Sequence, residues 1–351
     1  MHKTYYIVIL ILLLPWGTMA AEAIYNGMTV AVNNDYIRTE VGTTNEKIIK
    51  EVSGLACSRV TPGYLWTEKD EGTSGILALR PDGSRAMTLT FSGMNNRDDW
   101  EDICTGTYNG TPYIFIGAFG DNKAEYADNY YIVCVPEPAI NVTATTATTA
   151  TVAVTLIRFG FPDGAGHNVE TLMYDPIEEV FYIVDKTDSG APTLYHLAMR
   201  TDYGDALQRL EVGQKLGKKS DKWHNITAGD ISPDGSLIAI KNKQIILLWT
   251  REGAESITTT LSRQPVQIGT YEEEEQGESI AWLDNNTFYT TSDSKGNTPI
   301  YIYSRTDSPA AQQELRISSP VEKRIINGTL YIRSHNGWVE ISGRNVQTAS
   351  F

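Results

Sequence analysis

The stretch at 95–106, "NNRDDWEDICTG", sets four carboxylates, Asp98, Asp99, Glu101 and Asp102, around Trp100 before turning apolar at Ile103 and Cys104. Acids crowded at the start of a buried strand need a cation, a shared proton or water, because an ionised carboxylate out of water is costly without a partner. Two later stretches repeat the arrangement. Glu170 opens "ETLMYDP" and Glu278 opens "ESIAWL", and an apolar pair follows each within one or two residues. If Glu101, Glu170 and Glu278 converge, a hard cation such as Ca²⁺, which takes six to eight oxygens, is the simplest solution. The three glutamates, with Asp121, are therefore the expected metal ligands.

A second acidic register lies in "EKDEG" (Asp70), "FGDNK" (Asp121, Asn122), "VDKTD" (Asp185) and "TSDSKG" (Asp293). Each follows an apolar, strand-like run, so these loops fall on one rim. Asp99, Asp102, Asn122, Asp70, Asp185 and Asp293 form a secondary set of binding candidates. Asp and Asn also make tight turns for purely local reasons, so every loop keeps a plain turn reading. His167 and His224 lie three residues before Glu170 and Thr227, where they would serve as ligands or acid–base groups, or simply sit at the surface. The run "YEEEEQGE" reads as a solvated loop in which only Glu278 is in register. "SPDG" at 232–235 reads as a hairpin turn, and His196 as structural. Nucleophile-elbow, HExxH, P-loop and CxxC motifs are all missing from the sequence.

The elements that would position these residues are strands. Short runs rich in Val, Ile, Tyr, Phe and Thr alternate with Gly, Asp, Asn and Pro clusters. A weak internal repeat appears at 53–83, 101–138, 170–198, 227–251 and 278–305, with a shorter copy at 321–342. Six such units predict an all-β fold, a six-bladed β-propeller, closed where N- and C-terminal strands meet. In that fold the innermost strand of each blade lines a channel, so the residues opening those strands converge. The segment 23–41 is expected to complete the last blade. The Thr/Val/Ala alternation at 141–159 predicts a half-exposed pair of outer strands. A pair of β-sandwiches would not explain the repeat.

The chain has 351 residues and a formal charge of -14. That charge excludes nucleic acid and anionic membranes as partners, since both require basic patches. Residues 1–20 combine a basic start, an apolar run over 7–14 and small residues at 18 and 20, which is the layout of a secretory signal peptide. The alternative, a membrane anchor, needs an apolar run of about 20 residues. The expectation is an exported, periplasmic or extracellular monomer with one propeller domain over 21–351. Its ligand, a small molecule, protein or glycan, would be taken at the propeller face without membrane insertion. Cys57, Cys104 and Cys134 cannot all pair and read as buried small hydrophobes.

The combination "SGLACS", "LWTEKDEG", "DDWEDI", "GDN" and "PEP", followed by "VETLMYDP", "ITAGDISPDG" and "GESIAW", resembles a family of exported bacterial propellers of largely unassigned function. That family is distantly like the phytase-like and esterase-like propellers, and the resemblance covers about 53–305. It implies six blades and an acidic central face but supplies no reaction. Propeller phytases hold several Ca²⁺ ions with acids on one face and bind phosphate there. Here no evident Lys/Arg cluster accompanies the acids, Arg97 being the one nearby candidate. Where the family loop often reads HNDSG, this chain has residues 68–72 as "EKDEG". Three functions are expected: a binding or scaffold propeller with Ca²⁺ at its channel mouth, a Ca²⁺-dependent hydrolase of phosphoesters or lactones, or a metal-free protein-interaction platform.

Overall fold

The structure is a computed structural model. It describes residues 22–45, 47–49, 52–69, 75–92, 94, 99–293 and 296–307, and the backbone of three further strands between 323 and 340. The proposed leader, 1–20, and Asp70 lie outside the described residues.

Five small sheets carry the fold, and each begins with an inner strand, almost wholly buried in the first four and half buried in the fifth. These inner strands are Val52–Cys57, Trp100–Tyr108, Val169–Asp175, Ala228–Ile231 and Ala281–Asp284. Within every sheet the next strands follow in sequence order as antiparallel neighbours, the meander that short loops and alternating apolar residues favour. Each inner strand packs against the next, and the fifth packs back against the first, so the ring closes. This is a β-propeller, with five blades in the ring among the described residues rather than the expected six.

Closure explains the difference. The fourth strand of blade 5 comes from the N-terminal side: Tyr36–Asn45 pairs antiparallel with Asn297–Arg305. Ala31–Asn33 adds a parallel edge to blade 4. The segment 23–41 thus serves two blades and, as expected, completes the last one by meeting the strand Asn297–Arg305. The sixth copy forms its own three-stranded sheet, Lys323–Ile326, Thr329–Ser334 and Gly337–Glu340. The predicted outer pair is present, split between blades. Thr148–Ala153 lies parallel to Arg85–Ser92 at the edge of blade 1 with strictly alternating exposure, and Thr155–Gly160 is the fourth strand of blade 2.

Polar staples join the blades. Asp102 accepts Leu172 N of blade 3 at 2.7 Å and Ile103 N at 2.9 Å. Asp230 does the same between blades 4 and 5, accepting Trp282 N at 2.7 Å and Ile231 N at 2.8 Å. Arg251 and Asp175, both fully buried, pair at 2.8 Å across blades 3 and 4. Glu137 reaches from blade 2 to accept Trp66 Nε1 at 2.8 Å. At Gly54 the first two inner strands approach so closely that a Cβ would lie 2.8 Å from Ile103 N. The glycine of "SGLA" is therefore required by packing. Cys57, Cys104 and Cys134 are free and buried, and burial pushes their thiols up, so they are small hydrophobes as expected.

Candidate functional site

The inner strands do not enter the channel as regular ladders. In blades 1, 2 and 3 one extra residue is inserted at the start of the strand. Ser53 and Gly54 stand opposite Glu68, Glu101 lies between Trp100 and Asp102 opposite Ala118 and Gly117, and Glu170 and Thr171 stand opposite Val184. Such bulges bend the strand and re-aim a side chain. They occur where the sequence repeat aligns Ser53, Glu101 and Glu170, which accounts for the position of the glutamates.

Glu101, Glu170 and Glu278 share one electrostatic environment, and two lysines share it with them. Lys186 Nζ bonds Glu170 Oε1 and also feels Glu278 and Glu101. Lys243 bonds Gln276 Oε1 and lies 3.9 Å from Glu278 Oε1. Asp99 acts on Glu170, and Asp293 on Glu278. The Glu278 carboxyl is pushed up to about 7, first by burial and then by Glu170, with Lys186 and Lys243 opposing. Burial likewise raises Glu170 against the pull of Lys186, while Glu170 raises Lys186 against its own burial. Gly120 borders the group: a Cβ there would meet Glu101 Oε1 at 2.3 Å and Asp99 Oδ2 at 2.5 Å.

The structure thus gathers Glu101, Glu170, Glu278, Asp99 and Asp293 and leaves other candidates outside. Asp121 is no part of the group. Its carboxylate accepts Glu125 N at 2.7 Å, Tyr126 N at 2.8 Å and Tyr130 Oη at 2.7 Å, and so is spent on its own loop. Asn122 is exposed and accepts from Asn168 Nδ2 at 3.2 Å. Asp102 is a blade staple, and burial holds its carboxyl well above the usual range. Asp185 accepts Thr193 N at 2.6 Å. His167 stacks on Phe161 with centroids 4.1 Å apart and sits 3.0 Å from Asp163. The backbone carbonyl of His224 accepts from Asn242 Nδ2 at 3.3 Å.

Two features escaped the sequence reading. Lys186 and Lys243 follow the second strands of blades 3 and 4 in matching "VDK" and "KNK" triplets, so basic residues do stand among the acids. Glu274, expected in a solvated run, is buried 2.9 Å from the fully buried Lys241 and accepts Thr290 Oγ1 at 2.5 Å.

The donors at the mouth are oxygens suited to Ca²⁺. Among the described residues, however, no three His, Cys, Asp or Glu side chains are gathered to hold a metal, and Glu170 is engaged by Lys186. The arrangement as it stands does not fit a preformed Ca²⁺ site. Also among the described residues, no helix is long and apolar enough to cross a membrane.

Ring closure defines the class: a β-propeller. No family model and no curated protein matches the chain. Solved structures similar to it include the nidogen/laminin complex, at 12% identity and TM-score 0.37 over 69% of this chain and 72% of that one. Another is the soluble aldose sugar dehydrogenase (Asd) from Escherichia coli in its apo form, at 7% identity and TM-score 0.40 over 76% of this chain and 99% of that one.

Proposed function

We propose that the protein is a binding propeller that takes a cationic ligand at its channel mouth. The observation that carries this reading is the unequal pairing of the gathered charges. Glu170 is bonded to Lys186, whereas Glu278, mostly buried, has its nearest lysine among the described residues, Lys243, 3.9 Å away. A carboxyl raised to about 7 by burial and by a like charge gains from any cation that replaces its proton. Ca²⁺ remains one proposed ligand, on the condition that it displaces Lys186 from Glu170.

The test is thermal unfolding in EDTA and then in millimolar Ca²⁺. Binding to the native state at about ten times Kd raises Tm by about 2 °C for a chain of this size. Glu278→Gln is expected to abolish the rise. A rise that survives both Glu278→Gln and Glu101→Gln places the ion elsewhere and removes this reading.

A further inference from the structure

Beside the mouth lies a cavity of about 370 Å³ that the acid group does not fill. Asp99, Phe119, Gly120, Tyr126, Asn129 and Tyr130 line it. Three of these are aromatic, one is a carboxylate, and none is cationic. Gly120 is shared with the mouth: a Cβ there would collide with the carboxylates of both Asp99 and Glu101. Negative charge therefore stands at one end of a pocket whose exposed aromatic is Tyr126.

The loop carrying Tyr126 is fixed from within. Asp121 accepts Glu125 N and Tyr126 N, and Arg209 Nη2 ties Asp128 at 2.8 Å. Ala124 and Asp128 hold left-handed φ values of 53° and 63°, a conformation that non-glycine residues keep only when their surroundings enforce it. Tyr126 nonetheless remains 54% exposed. A large aromatic left in water on a loop pinned at both ends is a preformed contact surface. Tyr130 is committed, its hydroxyl to Asp121 and its ring stacked on Phe159 at 5.6 Å, so it forms a rigid wall.

Resting on the reading of the mouth as a cation receptor, we infer that this pocket holds an alkylammonium group. The methylene stem and the ammonium lie along the ring face of Tyr126, which is exposed where Phe119 and Tyr130 are buried behind it, and Asp99 accepts the N–H bonds. A cation with an apolar stem suits this lining better than a bare ion does, because aromatic faces attract organic cations and also bury the stem. Asp121 is a positioning residue, acting through the loop that presents Tyr126.

The experiment is an amide-resolved NMR titration of the whole protein with n-butylammonium, with n-butanol as its uncharged counterpart. Butylammonium is expected to shift the amides of Gly120, Tyr126 and Asn129, and butanol to bind at least about tenfold more weakly. Asp99→Asn weakens butylammonium by about tenfold, and Tyr126→Ala by about fivefold. Tyr126 is exposed, so its loss does not endanger folding. Equal binding of butanol, binding unchanged in both variants, or shifts confined to another part of the chain would overturn the inference. The Ca²⁺ melting series on the same preparation separates the two readings. A Ca²⁺ response without butylammonium binding refutes the pocket alone, and the absence of both refutes the mouth as well.

Discussion

Lys241–Glu274 and Arg251–Asp175 are ion pairs sealed between blades, with side-chain exposures of 0% and 4% in the first and 0% for both partners in the second. Lys186–Glu170 and Lys243–Glu278 are built from similar residues at the channel mouth, with exposures of 21% and 7%, and 33% and 16%. In the sealed pairs every carboxylate oxygen is engaged. Glu274 holds Lys241, Tyr271 Oη and Thr290 Oγ1, and Asp175 accepts from Arg251 and Ile177 N on Oδ1 and from Glu178 N on Oδ2. At the mouth the pairing thins from one side to the other. Glu170 is bonded to its lysine, whereas Glu278 has a lysine only at 3.9 Å and titrates near neutrality. Residue type does not separate a structural ion pair from a receptive one. Completeness of pairing and access to solvent do.

The largest break in this contrast is Arg251→Met. It strands the fully buried Asp175 between blades 3 and 4, and loss of one partner of such a pair costs about 3–5 kcal/mol. Urea unfolding should show the midpoint falling with an unchanged slope. A loss below about 1 kcal/mol would mean the pair is no staple.

Glu278→Gln should do the reverse. The folded carboxyl lies near 7 against an ordinary value of 4.5, so the native state holds its proton more tightly than the unfolded chain. The associated stability is fully present below 4.5 and is lost as pH rises through 7. Glutamine loses nothing over that window. The variant is therefore expected to match the parent near pH 4 and to exceed it by about 2 kcal/mol near pH 8, after discounting for solvent. Asp230, raised to about 6 by burial, gives both proteins a shared decline at lower pH that cancels in the difference. Equal stability of the two proteins near pH 8 would show that Glu278 is not strained by its neighbours. A gain in stability on removing a mouth residue is what a binding site sustained against folding predicts.

Between these effects lies Lys186→Met. Glu170 is nearly as buried as the sealed carboxylates but keeps a path to water. The expected loss is about 1–2 kcal/mol near pH 8, shrinking as Glu170 is protonated on acidification. A loss that does not change with pH would assign Lys186 to packing instead.

The sequence made the glutamates legible because the repeat aligns Glu101, Glu170 and Glu278, and a bulge recurs at the same place for Glu101 and Glu170. The most family-like residues misled. Asp102 of "DWED" and Asp121 of "GDN" are each spent on backbone N–H groups. A short carboxylate beside a strand end reads the same in sequence whether it faces a ligand or a neighbouring amide. In the run 272–275, only the fold decides which glutamate meets Lys241. The count of five blades was likewise hidden. A repeat shows how many copies exist, whereas the ring ends where Tyr36–Asn45 takes the last edge.

The smallest effect, and the sharpest for the contrast, belongs to Lys243→Met. Lys243 is one-third exposed and meets Glu278 only at 3.9 Å, so its removal should change stability by less than about 1 kcal/mol. Its influence appears in titration instead. Lys243 lowers the Glu278 pKa, so the variant's carboxyl should titrate above 7, followed by carbon NMR of the Glu278 side chain. The same substitution removes a charge that competes with an incoming cation, so the Ca²⁺-induced rise in Tm should grow as the protein itself barely changes. In the sealed pair, Lys241→Met cannot separate these outcomes, because no solvent or ligand reaches Glu274 to replace the lost charge. A mouth in which Lys243→Met costs as much as Lys241→Met would be a fifth staple and not a receptor.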